Sequence, residues 1–388
     1  MLFGPLLQLA VLATAAEIKH KPDSDYVFSC DTPIPPLPNG TMVTSWAQYL
    51  DETGEDLDSG GQGAVDHFGG PAGKAPMKWP RNSENLAKIP YCYYNEHDRD
   101  ATREVIEAAI KSWMSYLGPP GKESGHAISF EELLDKGQPV YCYEPHPNDP
   151  EPDFPWFYNK HLTNEIVTIM VSKGATGWGA GVGLRADQSF PWGNMLYVPD
   201  TGSLVNVEWA AMHELGHVMG MAHEHQRNDR DNYIVVKPEL LDDFEQCYER
   251  AHAKNSRVTK ENVCASLRYS LRNQCMCREI IKGMAEFYLP LFAFDKYDLD
   301  SIMHYPSALG GTQKCQLYSG EEDTADCPIQ VYKNFEDHSQ GTTKITPNLH
   351  PSAQDIAWVK KVYAWDEKGG TPDATKLSTA VATSSTAA

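Results

Sequence analysis

A globular fold with at least three helices around a large core is predicted for this chain, on three helical stretches and its apolar composition. At 388 residues with 41% apolar content, it can bury one large or two small cores. The first helical stretch, 101–117, places Ile106, Ile110, Trp113 and Leu117 at core-facing spacing. The second runs from Glu208 to Met219, and the third follows an S-x-x-D cap at Ser352 and Asp355. Periodicity settles these helices but not the sheet.

Met1 to Ala16 carry an apolar stretch from Leu6 to Ala15, and Ala13-Thr14-Ala15 fits the A-x-A cleavage rule. A signal peptide is therefore expected over 1–16, although its only positive charge is the amino terminus. Residues 17–74 are rich in Pro, Gly, Asp and Ser and cannot bury much apolar area alone, so a disordered or surface-wrapping leader is expected. Asn39-Gly40-Thr41 within it is a standard glycosylation sequon.

Asp100 is expected to cap the helix Ala101–Leu117, which Gly118-Pro119-Pro120 ends. The run Gly174 to Gly183 lacks G-x-G-x-x-G order and opens no helix, so it reads as a cleft edge rather than a phosphate loop. In the closing helix Ile356, Val359 and Tyr363 are expected to face inward. A Ser/Thr/Ala-rich tail over 366–388 reads as disordered. No further run reaches the length of a membrane span, so the mature chain is expected to be soluble.

Nine cysteines agree with an oxidising destination, and the chain is expected to be secreted. Cys30 stands alone in the leader, which leaves eight cysteines, enough for four bridges, between Cys92 and Cys327. Their connectivity stays open. Zinc binding by Cys275-Met276-Cys277 is a rival reading, weak because no second pair accompanies it. The net charge of −20 argues against nucleic acid and anionic membrane as partners, since both need clustered Lys and Arg.

The most informative stretch is His213-Glu214-Leu215-Gly216-His217-Val218-Met219-Gly220-Met221-Ala222-His223. His213 and His217 stand four apart, so both imidazoles leave one helical face and suit a single metal. Gly220 accepts the sharp exit that lets His223 return to that metal. Three protein ligands leave a position open for water, the mark of a catalytic rather than structural zinc site. A bare HExxH is a weak signal, most often a solvated helix face; adding Gly220 and His223 makes it specific. One Zn2+ per chain is the expected cofactor.

About 80 residues on, Ser301-Ile302-Met303-His304-Tyr305 supplies a Met-turn. With Glu224 directly after the third histidine and the run His225 to Tyr233, the chain resembles the astacin family of metzincin endopeptidases. The resemblance is strongest over 209–233 and 297–306, looser over 75–208 and 345–364, and absent over 1–74, 247–290 and 365–388.

That resemblance implies an α+β, metzincin-like catalytic domain of two lobes over 75–365. A twisted, mostly parallel sheet with two long helices lies above the cleft, over an irregular lower lobe ending in a helix. Ile89-Pro90-Tyr91, Ile128-Ser129-Phe130, Val167–Val171 and Met195–Val198 resemble the family's strands. Tyr305 is implied as a resting fifth zinc ligand that turns to the oxyanion, and Met303 as packing beneath the metal. A buried structural tyrosine is the bland alternative. The family's pro-segment aspartate has its nearest match in Phe28-Ser29-Cys30-Asp31, making Asp31 and Cys30 candidate latency ligands against an ordinary loop; activation cleavage is expected near Lys74-Ala75. Positions matching two common family bridges, Gly177 with Leu204 and Ala127 with a site near Lys368, hold no cysteine, so the chain reads as an outlying member. Residues 247–290 read as a Cys-rich insertion.

The expected function is a secreted zinc endopeptidase acting on protein or peptide substrates. Metal-bound water with its pKa lowered to about 7 would be activated by Glu214. A catalytically silent zinc-binding protein on the same scaffold and a zinc hydrolase of non-peptide substrates are the alternatives.

Overall fold

The computed structural model describes residues 48, 52 and 78–366, except 146–156, 164, 173–176, 185–193, 201–206, 266, 283–295, 313 and 316–322. The expected signal peptide, the candidate latency residues Cys30 and Asp31, the sequon, the cleavage position and the tail beyond 366 lie outside the described residues.

A five-stranded sheet forms the upper lobe. Its strands are β1 (Ala87–Tyr93), β2 (Ile128–Glu132), β3 (Val167–Ser172), β4 (Gly179–Ala180) and β5 (Met195–Pro199), in the order β2-β1-β3-β5-β4. Three pairings are parallel, with Ala87 opposite Ile128, Tyr91 opposite Val167 and Thr168 opposite Met195. The edge strand β4 is antiparallel, Gly179 opposite Tyr197. Strand β5 is buried at every position, as an apolar run covered on both faces should be. All four expected strands are present, and Gly179–Ala180 within the Gly-rich run forms the edge strand β4.

Helix α1 (Glu96–Leu117) packs on this sheet with Ile106, Trp113 and Leu117 fully buried and Ile110 half-buried. It starts five residues before the expected Ala101. Asn95, not Asp100, is the cap: its side chain accepts from the Asp98 backbone N–H at 2.8 Å. Asp98 is buried there because its carboxylate accepts the Val171 N–H at 2.9 Å, tying helix to sheet. The helix ends at Gly118, where φ is +81°.

Helix α2 spans Glu208–Met219, as expected, and is buried from Ala210 to Met219. Such burial on all sides belongs to a core helix. Trp113 Nε1 donates to the Met212 carbonyl at 2.8 Å, locking α2 to α1. Two carbonyls of its last turn, which have no partner within the helix, are satisfied from distant segments. Trp79 Nε1 donates to Val218 O and the Tyr363 hydroxyl to Met219 O, both at 2.7 Å. Both ends of the described chain thus converge on the zinc-motif helix.

The lower lobe is irregular. A small antiparallel sheet joins β6 (Ile234–Val236), β7 (Ile329–Tyr332) and β8 (Thr342–Thr343). Helix α3 (Phe244–Lys254) and short helices at Lys260–Val263 and Leu267–Arg272 occupy the Cys-rich region. The last helix, α4 (Ala353–Val362), has the expected Ser352/Asp355 capping box; Val359 and Tyr363 are buried, Ile356 half-buried, and Trp358 joins them.

Eight cysteines form four bridges, Cys92–Cys142, Cys247–Cys275, Cys264–Cys277 and Cys315–Cys327. Cys275 and Cys277 each belong to a disulfide, which removes the alternative of a C-x-C zinc site. No helix among the described residues is long and apolar enough to cross a membrane.

Candidate metal centre and active site

Positive φ at Gly220 (+105°) ends α2 and turns the chain back, which brings His223 to His213 and His217. The three form the one candidate metal cluster among the described residues, all buried. His223 Nε2 lies 3.1 Å from His213 Nε2 and 3.0 Å from His217 Nε2.

The opposite ring nitrogens decide the tautomers. His213 Nδ1 faces the Ile302 carbonyl at 2.7 Å and His217 Nδ1 the Met221 carbonyl at 2.8 Å. A carbonyl only accepts, so each Nδ1 carries the proton. His223 Nδ1 meets Gln226 Oε1 at 3.1 Å, and the same amide donates through Nε2 to Glu279 O at 3.0 Å, which fixes its orientation. Three bare Nε2 lone pairs therefore converge. Burial holds all three rings below the usual imidazole range, His217 at about 4, so they stay neutral and able to ligate. Ligands at 2.0–2.1 Å from a tetrahedral ion sit about 3.3–3.4 Å apart, so a small relaxation around zinc suffices. The donor set fits a zinc ion.

Glu214 follows His213 on α2 and is 0% exposed. The Met-turn closes the site from below. Met303 lies under the zinc helix so closely that a Cβ on Gly216 would come within 2.6 Å of its sulfur. Sequence reasoning misses Gly216, although a glycine inside a helix costs about 1 kcal/mol and invites a packing explanation. Tyr305, 1% exposed, sits with its ring centroid 4.3 Å from His223 and 4.2 Å from His225, stacked on the latter.

Asp355 is a second residue whose role exceeds the sequence reading. Beyond capping α4, its carboxylate accepts from Ser301 Oγ at 2.7 Å and from the Ile302 N–H at 2.8 Å. The Ile302 carbonyl is the acceptor for His213, so the closing helix steadies a motif histidine through one peptide unit. Glu224 ties the exit segment to the Met-turn loop, accepting from the Asp298 N–H and from Arg227 Nη1, each at 2.8 Å.

Residues 206–269 match the model of the astacin peptidase family. That segment is where the chain is similar to the astacin family. The match runs well past 247, so the expectation that the likeness ends there is corrected: the first half of the Cys-rich region falls inside the family pattern. Astacin-like metalloprotease toxin 4 of Loxosceles laeta is 43% identical over 48 residues, 12% of this chain and 42% of that protein. The chain thus spans less than half the length of that curated relative. Among solved structures, high choriolytic enzyme 1, a hatching enzyme zinc-protease from Oryzias latipes, is 18% identical, covering 74% of this chain and 94% of its own at a TM-score of 0.39. Myroilysin is likewise 18% identical, covering 74% and 95% at 0.36. The astacin-like segment is the one that carries all three histidines and Glu214.

Proposed function

We propose that the chain is a secreted zinc endopeptidase in which His213, His217, His223 and Tyr305 hold one zinc ion and Glu214 is the catalytic base. The observation that carries this reading is the convergence of three neutral imidazoles, with the buried Glu214 next to His213 on the same helix. His223 Nε2 lies 3.1 and 3.0 Å from the Nε2 atoms of His213 and His217. When bound, zinc would polarise the scissile carbonyl and make water acidic enough to lose a proton near pH 7.

The remaining work falls to the chain. Glu214 takes the attacking water's proton and delivers it to the departing amine. The Tyr305 hydroxyl donates to the oxygen on which negative charge develops. Met303 and Gly216 keep the histidine helix seated, and the antiparallel edge strand β4 offers a backbone rim on which an extended peptide can pair. Gly183 N–H, just past that strand, bonds the His217 carbonyl at 2.8 Å and fixes the rim to the zinc helix.

Four disulfides support an oxidising, extracellular destination. Residues 1–16 are proposed as the removed signal and 17–74 as a leader that holds the enzyme latent through Asp31 or Cys30. Incubating the mature, zinc-loaded protein with a denatured protein, with and without a chelator, tests the reading. Chelator-sensitive cleavage at internal peptide bonds is expected. Zinc retained without any cleavage would instead favour the silent scaffold.

A further inference from the structure

The lower lobe reaches the metal centre through a main-chain atom. The Glu279 carbonyl accepts two buried donors at once, Gln226 Nε2 at 3.0 Å and His225 Nε2 at 2.8 Å. Glu279 belongs to the 3-10 turn Met276–Ile280, and that turn contains Cys277, the partner of Cys264, and follows Cys275, the partner of Cys247. Arg230 Nη1 adds a bond to the neighbouring Ile280 carbonyl at 2.6 Å while also donating to His225 O at 2.9 Å. The turn is therefore clamped from both sides.

Gln226 is 4% exposed and bonds within the molecule through both ends of its amide. Of the three motif histidines, His213 and His217 are oriented by main-chain carbonyls. His223 alone relies on a side chain, and a side-chain amide can rotate unless its other end is fixed. Glu279 supplies that fixing. We infer that Gln226 is a positioning residue of the metal centre, which orients His223 and is itself held in register by the disulfide-linked turn at Glu279. The inference rests on the zinc reading above.

Outer partners of metal-bound histidines typically contribute 10–100-fold to metal affinity. The test compares wild type, Gln226→Met and Gln226→Glu in the full-length mature protein, by zinc competition against a chromophoric chelator. Cobalt absorption spectra report ligand geometry, and thermal melts of the metal-free forms report folding. Gln226→Met removes the acceptor at similar volume and is expected to weaken zinc about 10–100-fold, with a changed cobalt spectrum and a metal-free form that still melts cooperatively. Gln226→Glu keeps an acceptor for His223 but loses the donor that the Glu279 carbonyl fixes, and is expected to recover only part of the affinity. Wild-type affinity in Gln226→Met, or equal losses in both variants, would overturn the role. A wild-type protein that fails to bind zinc would sink the metal reading itself, and the two failures are distinguishable by where they occur.

Discussion

The two lobes hold themselves together by different means. The upper lobe has a five-stranded ladder and two long helices, with one disulfide, Cys92–Cys142. The lower lobe, with three short strands and brief helical turns, carries the other three bridges. Regular elements satisfy their own backbone groups and bury apolar faces, whereas irregular chain needs covalent links and side-chain bonds to hold one conformation. The site lies on the seam. Glu214 and two histidines come from a buried helix, while Tyr305 and Met303 come from a turn pinned by Asp355.

The largest expected effect tests the upper contribution. Glu214→Gln should keep zinc, shown by metal analysis, and lose about 10²–10⁴ in turnover of a peptide substrate. Near-full turnover would remove Glu214 from proton transfer. The lower contribution is smaller. Tyr305→Phe should lower turnover by about 10²–10³ with little change in substrate binding. A loss confined to binding would place the tyrosine outside the chemistry.

Stability sharpens the same contrast. Replacing Cys264 and Cys277 together with Ala opens a link of 13 residues' separation and should cost about 3 kcal/mol. Hydrogen exchange should show the protection loss confined to 244–282, with helix 208–219 still protected. Loss across the upper sheet would show that the lobes unfold as one. Asp355→Asn leaves a buried donor facing N–H groups and should cost about 1–3 kcal/mol in a denaturant melt. Gly216→Ala forces Met303 aside and should cost about 1–3 kcal/mol, relieved by pairing it with Met303→Ala.

How much of this is legible in sequence follows the same division. The zinc helix is bounded correctly from its motif, which has a fixed geometry, and from Gly220, which marks its end. A start of helix α1 at Ala101 is too late, because Asn95 with Asp98 at the third position is a cap less recognisable than an acid beside an apolar run. Strands 87–93, 128–132, 167–172 and 195–199 are recognisable by resemblance, since buried parallel strands lack alternation. In the lower lobe, disulfide pairing depends on proximity that no spacing encodes. The Glu279 carbonyl has no signature at all, because any residue supplies a carbonyl. Asp355 reads only as a helix cap: its bond to Ile302 joins positions 53 residues apart.

The central claim is that three imidazoles converge on a single zinc ion. Zinc K-edge absorption of the purified mature protein tests it most directly. The account predicts one zinc per chain with a nitrogen and oxygen shell at about 2.0–2.1 Å and imidazole back-scattering from three rings. A sulfur shell at about 2.3 Å, or no bound zinc, would contradict it.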